Sequence, residues 1–138
     1  MIVTDASVVV LALGQDGPAG DAVRERLDGE RLVAPELLDV EVTAAWRRHE
    51  AAGRLDSRRA ALARSDLRHL PVERVSHRLL MERCWDLRDN VTVYDAVYVA
   101  LAELLDSPLV TADGKLARAP GIRCDVEVVG PRETARSE

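Results

Sequence analysis

The chain has 138 residues, 47% of them apolar, and a formal charge of −5 from 19 Lys and Arg against 24 Asp and Glu. That length fits one domain with its own core, and the acidic balance argues against a protein held to nucleic acid by bulk positive charge. With no Phe, two Trp and two Tyr, the core is aliphatic and offers few platforms for stacked bases.

Met1 to Thr4 reads as a buried strand that runs into Asp5-Ala6-Ser7, and Val8 to Leu11 continue as a short helix. Gly14 to Gly20, with Gly17-Pro18, predicts a loop, and Asp21 to Leu27 returns to a helical pattern that stops at Asp28-Gly29. Leu32-Val33-Ala34 is a second strand closed by Pro35. Glu36 to Ala52 is a helix ended by Gly53. Asp56 to Leu70 is an Ala- and Arg-rich helix, Val72 to Val75 a third strand, and Ser76 to Leu87 a further helix.

Thr92 to Glu103 organises the rest. Ala96, Val97, Ala100, Leu101, Leu104 and Leu105 recur at the spacing of one buried helical stripe, which holds Asp95 at the helix mouth. Pro108 to Thr111 is a fourth strand, Ala112-Asp113-Gly114 a turn, Lys115 to Ala119 a helical turn, and Glu127 to Val129 a last strand. Residues 1–130 make one domain, and 131–138 form a charged tail expected to fray. Short apolar strands alternating with helices predict an α/β domain with a mainly parallel sheet, whose ligands bind beyond the carboxyl ends of the strands.

Cys84 and Cys124 have neither the count nor the spacing of a zinc site or a disulfide framework. With no charged leader and no apolar run near the roughly 20 residues of a membrane span, a soluble chain in a reduced, cytoplasmic setting is expected.

Asp5 and Asp113 each follow a strand, Asp95 opens the helix that feeds the fourth strand, and Glu41 sits among Leu37, Leu38, Ala44 and Ala45. Each acid has a structural alternative. Asp5 suits a helix cap, Thr92 to Asp95 a capping box, Asp113-Gly114 a turn, and Glu41 an ion pair with Arg47, Arg48 or another arginine across the fold. Together, carboxylates at one edge repel unless a cation is present. Oxygen donors without clustered His or Cys select a hard ion, Mg²⁺ or Mn²⁺.

Hydrophobic-Asp-x-Ser at positions 3 to 7, Leu-Leu-x-x-Glu at 37 to 41, Tyr-Asp-Ala-x-Tyr-x-Ala-Leu-Ala-Glu at 94 to 103 and Leu-Val-Thr-x-Asp at 109 to 113 resemble the PIN-domain ribonucleases. More narrowly, they resemble the VapC-type toxins of bacterial toxin–antitoxin pairs. The resemblance spans Ile2 to Val129 and implies a three-layer α/β/α sandwich with a short, mainly parallel central sheet. It also implies metal-dependent hydrolysis of RNA phosphodiesters by a site of Asp5, Glu41, Asp95 and Asp113, with Ser7 and Thr111 as supporting hydroxyls. A homodimer and a cognate antitoxin are the implied partners. Some family members carry a further acid after Thr-x-Asp, where this chain has Gly114 to Arg118.

From Arg54 to Arg88, nine arginines face five acids, a local +4 that leaves −9 for the remainder. This asymmetry points to a basic flank for RNA, with Arg58 and Arg59 as candidates and Lys115 as a candidate for a phosphate. His49, His69 and His77 lack ligand spacing, and Trp46 and Trp85 read as packing or interface residues. Two other readings stand beside the nuclease. A phosphotransfer domain of the haloacid-dehalogenase type would need Asp where Ser7 stands. An inactive module of the same fold would bind RNA or an antitoxin without cleaving.

Overall fold

Five short strands form the centre: β1 (Ile2–Thr4), β2 (Leu32–Pro35), β3 (Val72–Val75), β4 (Leu109–Thr111) and β5 (Val126–Val128). A computed structural model describes residues 1–130, so the expected tail at 131–138 lies outside the described residues. The strands lie in the order β3-β2-β1-β4-β5, and every pairing is parallel. Val3 stands between Val33 and Leu109 in register. β1 and β2 are buried along their full length, as a sheet covered on both faces requires.

The helices are α1 (Ala6–Gly14), α2 (Pro18–Leu27), α3 (Leu37–Ala51), α4 (Ser57–His69), α5 (Met81–Asp86), α6 (Val93–Leu105) and α7 (Gly114–Ala117). From β1 the chain steps outward to β2 and β3 through α1 to α4, then crosses back over β1 to β4 through α5 and α6. Right-handed crossovers running in opposite directions put the two helix groups on opposite faces. The result is the expected α/β/α sandwich. α1 packs on α2, α3 and α4, while α6 lies against β1, β2 and β4. The reversal of strand order falls between β1 and β4, where open parallel sheets form a crevice.

Three local expectations change. The loop at Gly14–Gly20 is shorter, because Pro18 at the first position of α2 supplies a preset φ and α1 continues to Gly14. Gly14 permits the close seam between α1 and α3, since a Cβ there would lie 2.6 Å from Trp46 Nε1. The helix expected over Ser76–Leu87 is a single 3-10 turn at Arg78–Leu80 followed by α5. The last strand begins one residue earlier, at Val126, where it pairs with Leu109.

The stripe on α6 also changes. All seven residues from Ala96 to Ala102 are buried, so this helix is enclosed on every side through its middle. Leu104 falls in the last turn, beyond that cover, and is 64% exposed. The helix stops at Leu105, where the capping Asp106 takes the left-handed conformation with φ 48°. Glu103 instead ties the layers: Arg83 grips it with two hydrogen bonds of 2.7 and 3.0 Å, and the Arg123 amide donates to it at 3.0 Å.

Candidate active site

The carboxyl ends of β1 and β4 are stitched by side chains. Asp5 is only 6% exposed. Its Oδ1 accepts from the Ser7 hydroxyl at 2.6 Å and from the Val8 amide at 3.2 Å, and its Oδ2 accepts from the Thr111 hydroxyl at 2.5 Å. Ser7 in turn accepts from the Ala112 amide at 3.0 Å, and Thr111 from the Asp113 amide at 3.0 Å. Asp5 is therefore both the cap of α1 and the buried acid at the crevice. One carboxylate serves both because its oxygens have separate partners.

α6 presents Asp95 from its first turn. The Thr92 hydroxyl accepts from the Asp95 amide at 3.1 Å, which closes one arm of the expected capping box. The return bond, from the Thr92 amide to the Asp95 carboxylate, does not occur among the described residues, so the box is only half closed. Glu41 comes from α3, one turn beyond buried Leu38 and beside buried Val42. Its Oε1 accepts from the Tyr98 hydroxyl at 2.7 Å. Asp113 is more peripheral: it is exposed, and its Oδ1 caps α7 by accepting from the Lys115 amide at 2.9 Å.

Electrostatics link the four acids. Burial pushes the Asp5 carboxyl above its usual range against the pull of the Ser7 and Thr111 hydroxyls and the Val8 amide, and the Asp95 charge adds to the rise. Burial likewise raises Glu41; the Tyr98 hydroxyl opposes this, Asp95 and Asp5 reinforce it, and Arg48 works against it. Asp95 is raised by burial, opposed by Thr92 and reinforced by Asp113. Asp5, Glu41 and Asp95 thus share one field, and Asp113 enters it through Asp95.

None of the four is in an ion pair among the described residues, so the anticipated neutralisation of Glu41 by Arg47 or Arg48 is absent as a salt bridge. No three His, Cys, Asp or Glu side chains among the described residues close into a ready-made metal cage. The donor set still suits a hard cation. It is all oxygen, it has no salt bridge among the described residues, and Mg²⁺ keeps several waters while taking only one or two carboxylates besides substrate phosphate.

A cleft of about 380 Å³ opens beside Glu41, lined also by Ser7, Arg48, His49 and Ala112. It adjoins a second cleft of about 320 Å³ that shares Val10, Leu11 and His49 and reaches Trp46 and Arg54. Burial, followed by the charges of Arg54 and Arg48, lowers the His49 pKa. The basic residues that the sequence suggests for RNA lie elsewhere in part. Arg59 is paired with Asp16 at 3.3 Å, whereas Arg58 and Lys115 are exposed. Trp46 is buried in the core, and Trp85 is 62% exposed with the Arg88 guanidinium 4.6 Å from its ring centroid.

Tyr98, Arg48 and His49 are functional candidates that only the structure brings forward. Tyr98 stands one helical turn after Asp95, and Arg48 and His49 stand two turns after Glu41, so the same helical spacing marks all three.

Comparison with known proteins bears on this geometry. The model of the PIN domain matches residues 2–122. Ribonuclease VapC1 of Mycobacterium tuberculosis is 43% identical over 128 residues, covering 92% of this chain and 96% of the relative. The chain belongs to the PIN-domain family, among the VapC ribonucleases.

Ribonuclease VapC9 of the same organism is 41% identical over 129 residues, covering 94% of this chain and 98% of that protein. In architecture, this PIN domain is similar to Mycobacterium tuberculosis VapC20, described as a Sarcin-Ricin loop cleaving toxin. The TM-score is 0.70 at 15% identity, over 95% of this chain and 100% of the other. It is also similar to a chain of VapBC2 from Rickettsia felis, crystallised on a promoter DNA fragment, with TM-score 0.67 at 14% identity over 94% and 99% of the two chains. These two likenesses concern the fold. No helix among the described residues of this PIN domain is long and apolar enough to cross a membrane.

Proposed function

We propose that this chain is a divalent-metal-dependent endoribonuclease, with Mg²⁺ or Mn²⁺ as the ion, acting as the toxin of a toxin–antitoxin pair. The observation that carries the reading is the set of mutually repelling carboxylates, Asp5, Glu41 and Asp95, without an ion pair among the described residues, at the strand-order reversal of the sheet. Asp5 would be the central ligand, Asp95 and Asp113 would be further ligands, directly or through water, and Glu41 would hold the metal or its water. A bound divalent ion supplies Lewis-acid charge and a water of lowered pKa at the scissile phosphate.

The chain's own residues do the rest. Ser7 and Thr111 hold both Asp5 oxygens in place, so the acid does not reorganise when substrate arrives. Glu41, its Oε1 held by the Tyr98 hydroxyl, lines the cleft beside Ser7, where it would hold the metal or orient its water. Arg48, His49 and Arg54 line the adjoining clefts next to Glu41 and supply donors for the RNA backbone there. Arg58 and Lys115 remain further phosphate-binding residues in this reading. A homodimer and a cognate antitoxin are the proposed partners, with the exposed Leu79 and Trp85 as apolar side chains for such interfaces. The proposed setting is the cytoplasm.

The deciding experiment is cleavage of RNA by purified protein with Mg²⁺ or Mn²⁺, with an EDTA control and Asp95→Asn beside the wild type. Cleavage that depends on metal and is lost in Asp95→Asn supports the reading. Cleavage that persists in EDTA or in the variant overturns it, and RNA binding without any cleavage favours the inactive module.

A further inference from the structure

We infer that Tyr98 is a positioning residue for Glu41, its hydroxyl selecting which carboxylate oxygen the glutamate offers to the metal. This rests on the metal-nuclease reading above and adds a residue to it. Tyr98 is 2% exposed, so its hydroxyl must find a partner inside the protein. That partner is Glu41 Oε1, 2.7 Å away and 57 positions distant in the chain.

The arrangement differs from routine satisfaction of a buried tyrosine in what it does to the acid. Glu41 lines the cleft beside Ser7 and has no other hydrogen-bond donor among the described residues. A glutamate side chain has three rotatable bonds, and without a donor it would sample several rotamers in that cleft. The phenol occupies Oε1 and leaves Oε2 as the oxygen with undivided charge. Because Tyr98 is three residues after Asp95 on α6, one rigid helix both supplies an acid and orients the acid arriving from α3. Partners that orient a metal-binding side chain in this way commonly govern affinity by about 10–100-fold.

The test is Mn²⁺ binding to the full chain, followed by electron paramagnetic resonance, for the wild type, Tyr98→Phe, Glu41→Gln and the double variant, with thermal unfolding in EDTA alongside. Tyr98→Phe is expected to weaken Mn²⁺ binding about 10–100-fold while remaining folded. In the Glu41→Gln background the same change should add nothing. Unchanged Mn²⁺ affinity in Tyr98→Phe, with only a lower Tm, would make Tyr98 a packing residue and overturn the inference. Fully additive losses in the double variant would do the same.

Wild-type protein that binds no Mn²⁺ would sink the metal-nuclease reading together with this one. Wild-type binding matched by Tyr98→Phe sinks only the role of Tyr98. Should Tyr98→Phe fail to fold, 3-fluorotyrosine incorporated into a Tyr94→Phe chain leaves residue 98 as the sole fluorinated site. Its ¹⁹F resonance is expected to shift as Mg²⁺ saturates, and a resonance that stays in place counts against the proposal.

Discussion

Asp5 separates structure from chemistry when it is replaced in two ways. Asp5→Ala removes the cap on α1, which costs about 1 kcal/mol. It also removes two hydroxyl bonds to a charged acceptor, each contributing about 1.5–3 kcal/mol. Against these losses stands the burial that already pushes this carboxyl upward, which means that part of the gross stabilisation is offset in the native protein. A net loss of roughly 2–4 kcal/mol is expected, lowering Tm by about 10 °C for a chain of this size.

Asp5→Asn behaves differently. Its amide oxygen still accepts from the Val8 amide, its NH₂ donates to a hydroxyl that can rotate, and the buried charge is gone. It should unfold within about 1 kcal/mol of the wild type yet have no metal-dependent cleavage. The assay is urea unfolding in EDTA with RNA cleavage in Mg²⁺ on the same preparations. Asp5→Ala as stable as the wild type would refute the account of the hydrogen bonds, and an active Asp5→Asn would remove Asp5 from the site.

Arg83→Ala should cost about 1–2 kcal/mol by stranding the largely buried Glu103, with cleavage by the folded fraction retained; lost activity at full folding would contradict a purely structural role. In metal-free protein, the raised carboxyls of Asp5, Glu41 and Asp95 make the folded chain bind protons that the unfolded chain has released. Their contribution is present below the usual carboxylate range and is lost as pH rises through the higher folded values. Glu103 and Glu127 act in the opposite sense: burial raises Glu103 but Arg83 and the Arg123 amide bring it down, and Arg26 lowers Glu127, so their stabilisation is lost as pH falls. Asp95→Asn should therefore raise the urea midpoint relative to wild type at pH 7 more than in the usual carboxylate range, at about pH 4, in EDTA, and an equal gain at both would count against the shared field. Finally, Arg48→Ala with Arg54→Ala should reduce the salt slope of RNA binding by roughly 0.7 for each phosphate that the two arginines neutralise. An unchanged slope would place the RNA backbone away from these clefts.

Much of the architecture is legible in the sequence, because it rests on local periodicity. Short apolar runs bounded by Pro, Gly and acids locate all five strands, and the spacing on α3 and α6 puts Glu41 and Asp95 near their buried faces. Breaks in regular structure are less legible. Gly17-Pro18 has the composition of a loop although Pro18 starts a helix, and Leu104 fits the stripe although the helix outruns its cover. Period describes which face a residue occupies; depth depends on what is packed over it.

By itself, then, the chain's order of residues determined an α/β domain with acids at the ends of its first and fourth strands, at the mouth of one helix and on the inward face of another. Only the tertiary structure decided that β1 lies beside β4, which brings Asp5 within reach of Thr111 across 106 positions. It likewise decided that Tyr98 answers Glu41 and that Arg59 answers Asp16 rather than solvent. The physical reason is range: helix and strand patterns are set by neighbours a few residues apart, whereas a hydrogen bond between distant residues exists only after crossover direction and strand order have chosen which ends meet.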